Sequence, residues 1–163
     1  MTEYPIPYTS TDLTGRIALV TGTTSGLGKR FAKVIAASGA SVALTGRRAD
    51  RLEDLAKEIR ADGGACEPVP FDITDSDQIP TIVEKVEKTL GTIDILINNA
   101  GIPDAQRAHK MSNDFVDQVF STNLVGPWKL SCEVARRLIA AEKPGRMINI
   151  SSVGGFSYGG NGA

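Results

Sequence analysis

Short apolar runs alternate along this chain with longer segments whose apolar residues recur at helical spacing. Residues 16–21 read RIALVT, a nearly continuous apolar run that predicts a strand buried on both faces. From Leu27 the apolar positions Leu27, Phe31, Val34 and Ile35 follow helical spacing, and Gly39 marks the end of that helix. Residues 41–45 (SVALT) predict a second strand. A charged helix follows, with Leu52, Leu55, Ala56 and Ile59 on one face and Gly63-Gly64 as its stop.

The pattern then repeats. Residues 67–71 predict a third strand, and Ile79, Ile82, Val83, Val86 and Leu90 mark the buried face of a third helix. Pro80 has no N–H, so this helix either starts near it or is distorted in its first turn. Residues 93–97 (IDILI) predict a fourth strand, and 101–111 a polar loop. Ser112 is suited to cap a long helix that runs to about Glu142 with an interruption near 123–127. Residues 147–150 predict a fifth strand, and a glycine-rich tail follows. Five strands joined by helical crossovers imply an α/β fold, a doubly wound parallel sheet with helices on both faces. Residues 1–14 read as a polar leader and 15–163 as the domain.

Composition narrows the functional classes. The 163 residues suit one domain, and a net charge of −1 gives no electrostatic pull toward nucleic acid or an anionic membrane. The first residues lack the basic and apolar regions of a signal peptide, and no apolar run approaches a membrane span. A soluble, cytoplasmic protein is therefore expected, without nucleic-acid or membrane partners. Cys66 and Cys132 are far apart, as expected of two buried, reduced thiols. His109, the only histidine, has no sequence neighbours that suggest a metal site, and no metal is expected. Trp128 is expected in core or interface packing.

The first strand runs into Thr21-Gly22-Thr23-Thr24-Ser25-Gly26-Leu27-Gly28. A strand, a glycine turn and a helix N-terminus together make a pyrophosphate site. Gly22 permits the tight turn, Gly26 lets the backbone approach the phosphates, and Gly28 lets the helix pack on the strand. A glycine-rich turn without a ligand is the alternative.

This turn resembles the T-G-x-x-x-G-x-G element of the short-chain dehydrogenase/reductase family, and four later motifs extend the likeness in the family's order. They are Asp72-Ile73 after the third strand, Asn98-Asn99-Ala100-Gly101 after the fourth, Asn123 within STNLVG, and Ser151-Ser152 after INI. The resemblance implies a Rossmann fold with five of the usual seven strands present. It also implies an oxidoreductase interconverting a carbonyl and an alcohol of a small molecule, with homo-oligomers in the complete protein. Its cofactor-binding residues would be Gly22, Thr24, Ser25, Gly26, Leu27, Gly28, Asp72, Ile73, Asn98, Ala100 and Gly101. Ser152 would be the catalytic serine, holding the substrate oxygen. Asn123 would be the catalytic asparagine, whose main-chain carbonyl holds a relay water.

Cofactor choice is expected at the end of the second strand. NAD-binding sheets place a carboxylate there for the ribose hydroxyls. Here the position falls on Gly46, followed by Arg47 and Arg48. The pattern favours NADP over NAD, with Arg47 as the main contact to the 2′-phosphate and Arg48 beside it. The alternative is two solvated residues opening a charged helix. Ser25 adds no support, since some NADP-binding relatives carry a basic residue there.

Pro127 cannot donate to the carbonyl of Asn123, so it either keeps that acceptor open or merely kinks the helix. The family's Tyr-x-x-x-Lys element belongs a short distance beyond the serine, and Ala163 precedes it. Tyr158 is too close to Ser152 to replace that tyrosine, and Gly162 stands where lysine would follow. A chain without these residues would be a non-catalytic nucleotide- or partner-binding module. Leu124, Leu130, Val134 and Leu138 are expected to include apolar surface left uncovered, with the fifth strand as an open edge.

Overall fold

In a computed structural model, which describes residues 10–103 and 108–152, the apolar runs form five parallel strands of one sheet. They are β1 (Ile17–Thr21), β2 (Ser41–Gly46), β3 (Ala65–Pro70), β4 (Ile95–Asn98) and β5 (Arg146–Asn149), in the spatial order β3-β2-β1-β4-β5. The helices are α1 (Gly26–Ala37), α2 (Ala49–Ala61), α3 (Ile79–Leu90), α4 (Asn113–Phe120) and α5 (Gly126–Ala140). The chain travels outward from β1 to β3, then returns to the other side of β1 for β4 and β5. The reversal leaves a crevice at the carboxyl ends of β1 and β4, where doubly wound sheets bind their ligands.

Alternation within the strands divides the core into two layers. Ala18, Val20, Val42 and Leu44 face α1 and α2, where Ala32, Leu52, Leu55 and Ile59 meet them. Leu19, Ala43 and Leu96 face α3 and α5, against Ile79, Val83, Leu130 and Val134. A strand covered on both faces is apolar through its middle, as residues 18–20 of β1 and 42–44 of β2 are, and the buried threonines that follow them have hydrogen-bonded hydroxyls.

The structure narrows several expectations and overturns that of a buried Cys132. In α1 the face against the sheet is Gly28, Ala32 and Ala36, whereas Leu27 is 59% and Val34 50% exposed. Small residues four apart let the helix lie close to β1, and close approach displaces the larger apolar side chains outward. On α5, Leu130, Val134 and Leu138 are buried, and of the four expected apolar positions only Leu124 is exposed. Phe120, Val125, Trp128 and Ile139 are exposed with it, so of the core or interface packing expected for Trp128 the core is excluded. Cys132 is exposed rather than buried.

The long helix from Ser112 is interrupted as expected, by a π-helical turn over Ser121–Val125. Ser112 caps its start, accepting from the Phe115 N–H at 3.2 Å. α5 is tied to α3 through charge. Glu133, 5% exposed, meets Arg136 and Arg137, and Arg137 donates to Glu87 at 3.2 Å. Here a buried carboxylate is matched by two guanidinium groups, as burial of charge requires. β5 forms one edge of the sheet, with Met147 and Ile148 exposed. No helix among the described residues is long and apolar enough to cross a membrane. Residues 1–9 of the leader and the tail after Ser152 lie outside the described residues.

The two thiols are chemically distinct. Burial pushes the Cys66 thiol up, partly opposed by the nearby Arg60 guanidinium, and its Sγ lies 3.6 Å from the Ala56 carbonyl oxygen. A thiol-specific chromophoric reagent at neutral pH is expected to label Cys132 promptly in the native protein and Cys66 only after unfolding. Equal rates at both would contradict this packing.

Candidate functional site

The carboxyl ends of β1, β2, β3 and β4 surround a cleft of about 370 Å³, within the size range of small-molecule sites. Its floor is fixed by the threonine that ends β1. Thr21 is 1% exposed, and its hydroxyl accepts from the Asn99 N–H and the Ala100 N–H, both at 2.9 Å. The Asn99 side-chain amide donates back to the Thr21 carbonyl at 3.0 Å and more weakly to that of Gly22 at 3.4 Å. Thr23 and Thr45 tie β1 to β2 in the same way, through Thr23 N–H to Thr45 O at 3.0 Å and Thr45 Oγ1 to Val20 O at 3.1 Å.

This knot dictates two of the glycines. Gly22 has φ +72°, and a Cβ there would come within 2.9 Å of the Ala100 Cα. A Cβ on Gly28 would lie 2.3 Å from the Gly22 carbonyl oxygen and 2.4 Å from the Asn99 amide nitrogen. No side chain fits either position without moving backbone. Gly26 is required by its backbone, at φ +54°, while a Cβ there would meet no protein atom within 4 Å, so the cleft it lines stays open. The helix it opens has no side-chain cap and no acidic residue in its first turn. Its first N–H groups have no intrahelical partners, so they and the positive end of the helix dipole suit an anion. The cradle therefore fits a pyrophosphate.

Most of the expected cofactor residues converge here: Gly22, Thr24, Ser25, Gly26, Leu27, Arg47, Arg48, Asp72, Ile73, Ala100 and Gly101 all line the cleft. Gly28 sits behind it as a packing residue. Asn98 is 3% exposed and turned away, donating to Ser131 Oγ and Asn149 Oδ1 at 2.9 Å each. Its side chain braces β4 against β5 and α5, and Asn98, expected among the cofactor residues, is not part of the cleft lining. Its Oδ1 has no hydrogen-bond partner among the described residues. Thr21, Thr45, Phe71, Asn99, Ile102 and Thr122, which were not among the expected cofactor residues, also line the cleft. The signal for Asn99 was the second asparagine of the Asn98-Asn99 pair, whose amide reaches the glycine turn. Thr21 was visible as the polar residue closing an apolar run.

Asn123 uses its side chain structurally. Its Oδ1 accepts from the Ile102 N–H at 2.9 Å and its Nδ2 donates to the Ile102 carbonyl at 3.0 Å, so it pins the loop after β4. The π-helical turn that carries it starts before Pro127, with the Gly126 N–H reaching back to the Ser121 carbonyl. Ser152 is exposed and follows β5, whose end is held by the Ile150 N–H donating to Asn98 O at 2.9 Å. Neither Asn123 nor Ser152 is part of the cleft lining. Tyr158 lies outside the described residues.

Among the described residues no group of three or more His, Cys, Asp or Glu side chains is placed to hold a metal.

Comparisons with known proteins agree with this geometry. The family model described as short chain dehydrogenase matches residues 16–163. The 3-oxoacyl-(acyl-carrier-protein) reductase FabG of Thermotoga maritima is 36% identical, over 90% of this chain and 59% of its own length. Gluconate 5-dehydrogenase of Gluconobacter oxydans is 38% identical, over 86% of this chain and 55% of its own. A metagenomic short-chain oxidoreductase, solved in complex with NADP, superimposes with a TM-score of 0.81 at 35% identity, covering 88% of this chain and 64% of that one. The chain thus spans less than two thirds of the length of these relatives.

The knot at the head of the cleft has a measurable energy. Thr21→Val keeps the shape but takes the acceptor from two half-buried N–H groups, and is expected to cost about 1–2 kcal/mol in urea unfolding. Thr21→Ser should recover most of it. A loss for Thr21→Val below about 0.5 kcal/mol, the range of ordinary surface changes, would remove the hydroxyl from this role.

Proposed function

The chain belongs to the short-chain dehydrogenase family, and from that premise we propose that it is an NADP(H)-dependent oxidoreductase interconverting a carbonyl and an alcohol on a small molecule. One observation carries the cofactor choice. The end of β2 places Gly46, Arg47 and Arg48 on the cleft wall, with no carboxylate at that strand end. A carboxylate there would accept from ribose hydroxyls and repel a 2′-phosphate, whereas a guanidinium attracts it and can donate two parallel hydrogen bonds. The NADP complex of a related oxidoreductase supports the same choice. A reductase and a dehydrogenase among the relatives support chemistry at a carbonyl–alcohol couple.

The same reading gives the chain's own residues their roles. Backbone N–H groups at the start of α1 would hold the pyrophosphate, with Gly26 keeping the approach open. Ile73 and Asp72 would border the adenine, and Ala100 and Gly101 the ribose at the β4 end. The bound nicotinamide supplies or accepts the hydride. Ser152, delivered just past β5, would hydrogen-bond the substrate oxygen as charge changes on it, a use of a fixed donor that favours the transition state. Because the Asn123 side chain is committed to Ile102, what it has left to offer a relay water is its main-chain carbonyl. In the complete protein a homo-oligomer is part of the same reading.

Two measurements test it. Replacing both Arg47 and Arg48 with Ala should lower the ratio of NADP+ to NAD+ affinity by about 10- to 100-fold, the worth of one or two charge-assisted hydrogen bonds. An unchanged ratio in titration calorimetry would rule out the arginines as the 2′-phosphate site. Ser152→Ala in the full-length protein should lower kcat by about 100-fold or more, with the loss in turnover and not in NADPH binding. A kcat within about twofold of the parent would exclude a catalytic role for that hydroxyl.

A further inference from the structure

The two arginines after β2 are held in different ways. Arg47 Nη1 lies 3.9 Å from Asp72 Oδ2, and the other oxygen of Asp72 accepts from the Thr74 N–H at 3.0 Å and its hydroxyl at 2.9 Å. Arg47 therefore faces a carboxylate that the turn after β3 fixes in place. Arg48 has a neutral anchor: its Nη2 donates to Thr24 Oγ1 at 2.6 Å. A guanidinium beside a carboxylate has part of its field cancelled, whereas one held by a hydroxyl keeps its full charge for an incoming anion.

Thr24 also reaches the other position that matters. A Cβ on Gly46 would come within 2.8 Å of the Thr24 methyl carbon. So the methyl of Thr24 closes the place where a carboxylate side chain would grow from β2, while the hydroxyl on the same Cβ holds Arg48. Thr24, Gly46 and Arg48 all line the cleft.

We infer that Thr24 is a positioning residue for cofactor choice: it fixes the Arg48 guanidinium as the principal 2′-phosphate contact and bars a carboxylate from position 46. This rests on the NADP reading above and deepens it, moving the main contact from Arg47 to Arg48. It follows that Gly46→Asp alone strains the cleft without creating a good NAD site, and that Thr24 must shrink with it.

The test is titration calorimetry of the intact protein with NADP+ and NAD+, reading the ratio of the two affinities. Thr24→Val, which keeps the methyl and loses the acceptor, should lower the NADP+ preference about fivefold, the worth of one modest hydrogen bond. Thr24→Ser should restore it. Arg48→Met should lower the preference further, and adding Thr24→Val to it should change nothing more, because the hydroxyl acts through the guanidinium. Gly46→Asp with Thr24→Gly should bind NAD+ more tightly than Gly46→Asp alone. A parent protein without NADP+ preference would defeat the cofactor reading and this inference together. A parent that prefers NADP+, with Thr24→Val weakening both nucleotides equally or adding in full to Arg48→Met, would overturn the inference and leave the cofactor reading standing.

Discussion

One hydroxyl group sets the shape of the cleft. Thr21 Oγ1 receives two backbone N–H groups from the start of the loop after β4, and so binds the carboxyl ends of two adjacent strands into one unit. Those strands lie at the point where the sheet order reverses, so without a cross-link their connecting loops would diverge. With it, the chain after β4 is drawn against the turn after β1. Asn99 then reaches the Thr21 carbonyl, and the space left for positions 22 and 28 shrinks below that of a methyl group. Gly22 and Gly28 are thus consequences of the strand-end threonine as much as of any ligand.

Close approach then propagates outward. α1 meets the sheet through Gly28, Ala32 and Ala36, and each is small enough for the helix to lie near β1. A helix set that close brings its first turn directly over the end of β1, where its unpaired N–H groups line the cleft. Larger residues on that face would have increased the buried apolar area but lifted the helix and moved its positive end away. Here packing energy is given up for the position of a dipole.

The strand order, the two helical layers and most of the cleft were legible in the sequence, for a physical reason. Strands buried on both faces are apolar through their middle, and the turns that let backbone approach a phosphate must be glycine, so both leave local marks. The inward face of α1 was not legible, because Leu27 and Val34 obey helical spacing as well as Gly28 and Ala32 do. Spacing identifies a stripe, and only the distance to the sheet decides whether large or small residues fill it. The pairing of Thr21 with Asn99 and Ala100 and the division of labour between Arg47 and Arg48 were hidden for a related reason. Each depends on a partner 24 to 79 residues away, and no local pattern encodes which side chain a given arginine will meet. The exposure of Cys132 follows from the rotation of α5, which Leu130 and Val134 set by facing the sheet.

The two halves of the site are also held by different kinds of interaction. The half proposed to hold the phosphates and adenosine is fixed by backbone geometry, through β1, β2, the glycine turn and the N-terminus of α1. The half expected to carry the chemistry is fixed by side-chain amides. Asn123 clamps the loop after β4 through both polar atoms of its amide, and Asn98 links β4 to Asn149 on β5 and to Ser131 on α5. β5, which delivers Ser152, is an edge strand with four exposed residues. The position of Ser152 therefore depends on β4, on the amide of Asn98 and on the seating of α5, whereas the cradle for the pyrophosphate depends on none of the last two. Perturbing α5 should disturb the serine before it disturbs the glycine turn, so dinucleotide binding can outlast the catalytic arrangement in this fold.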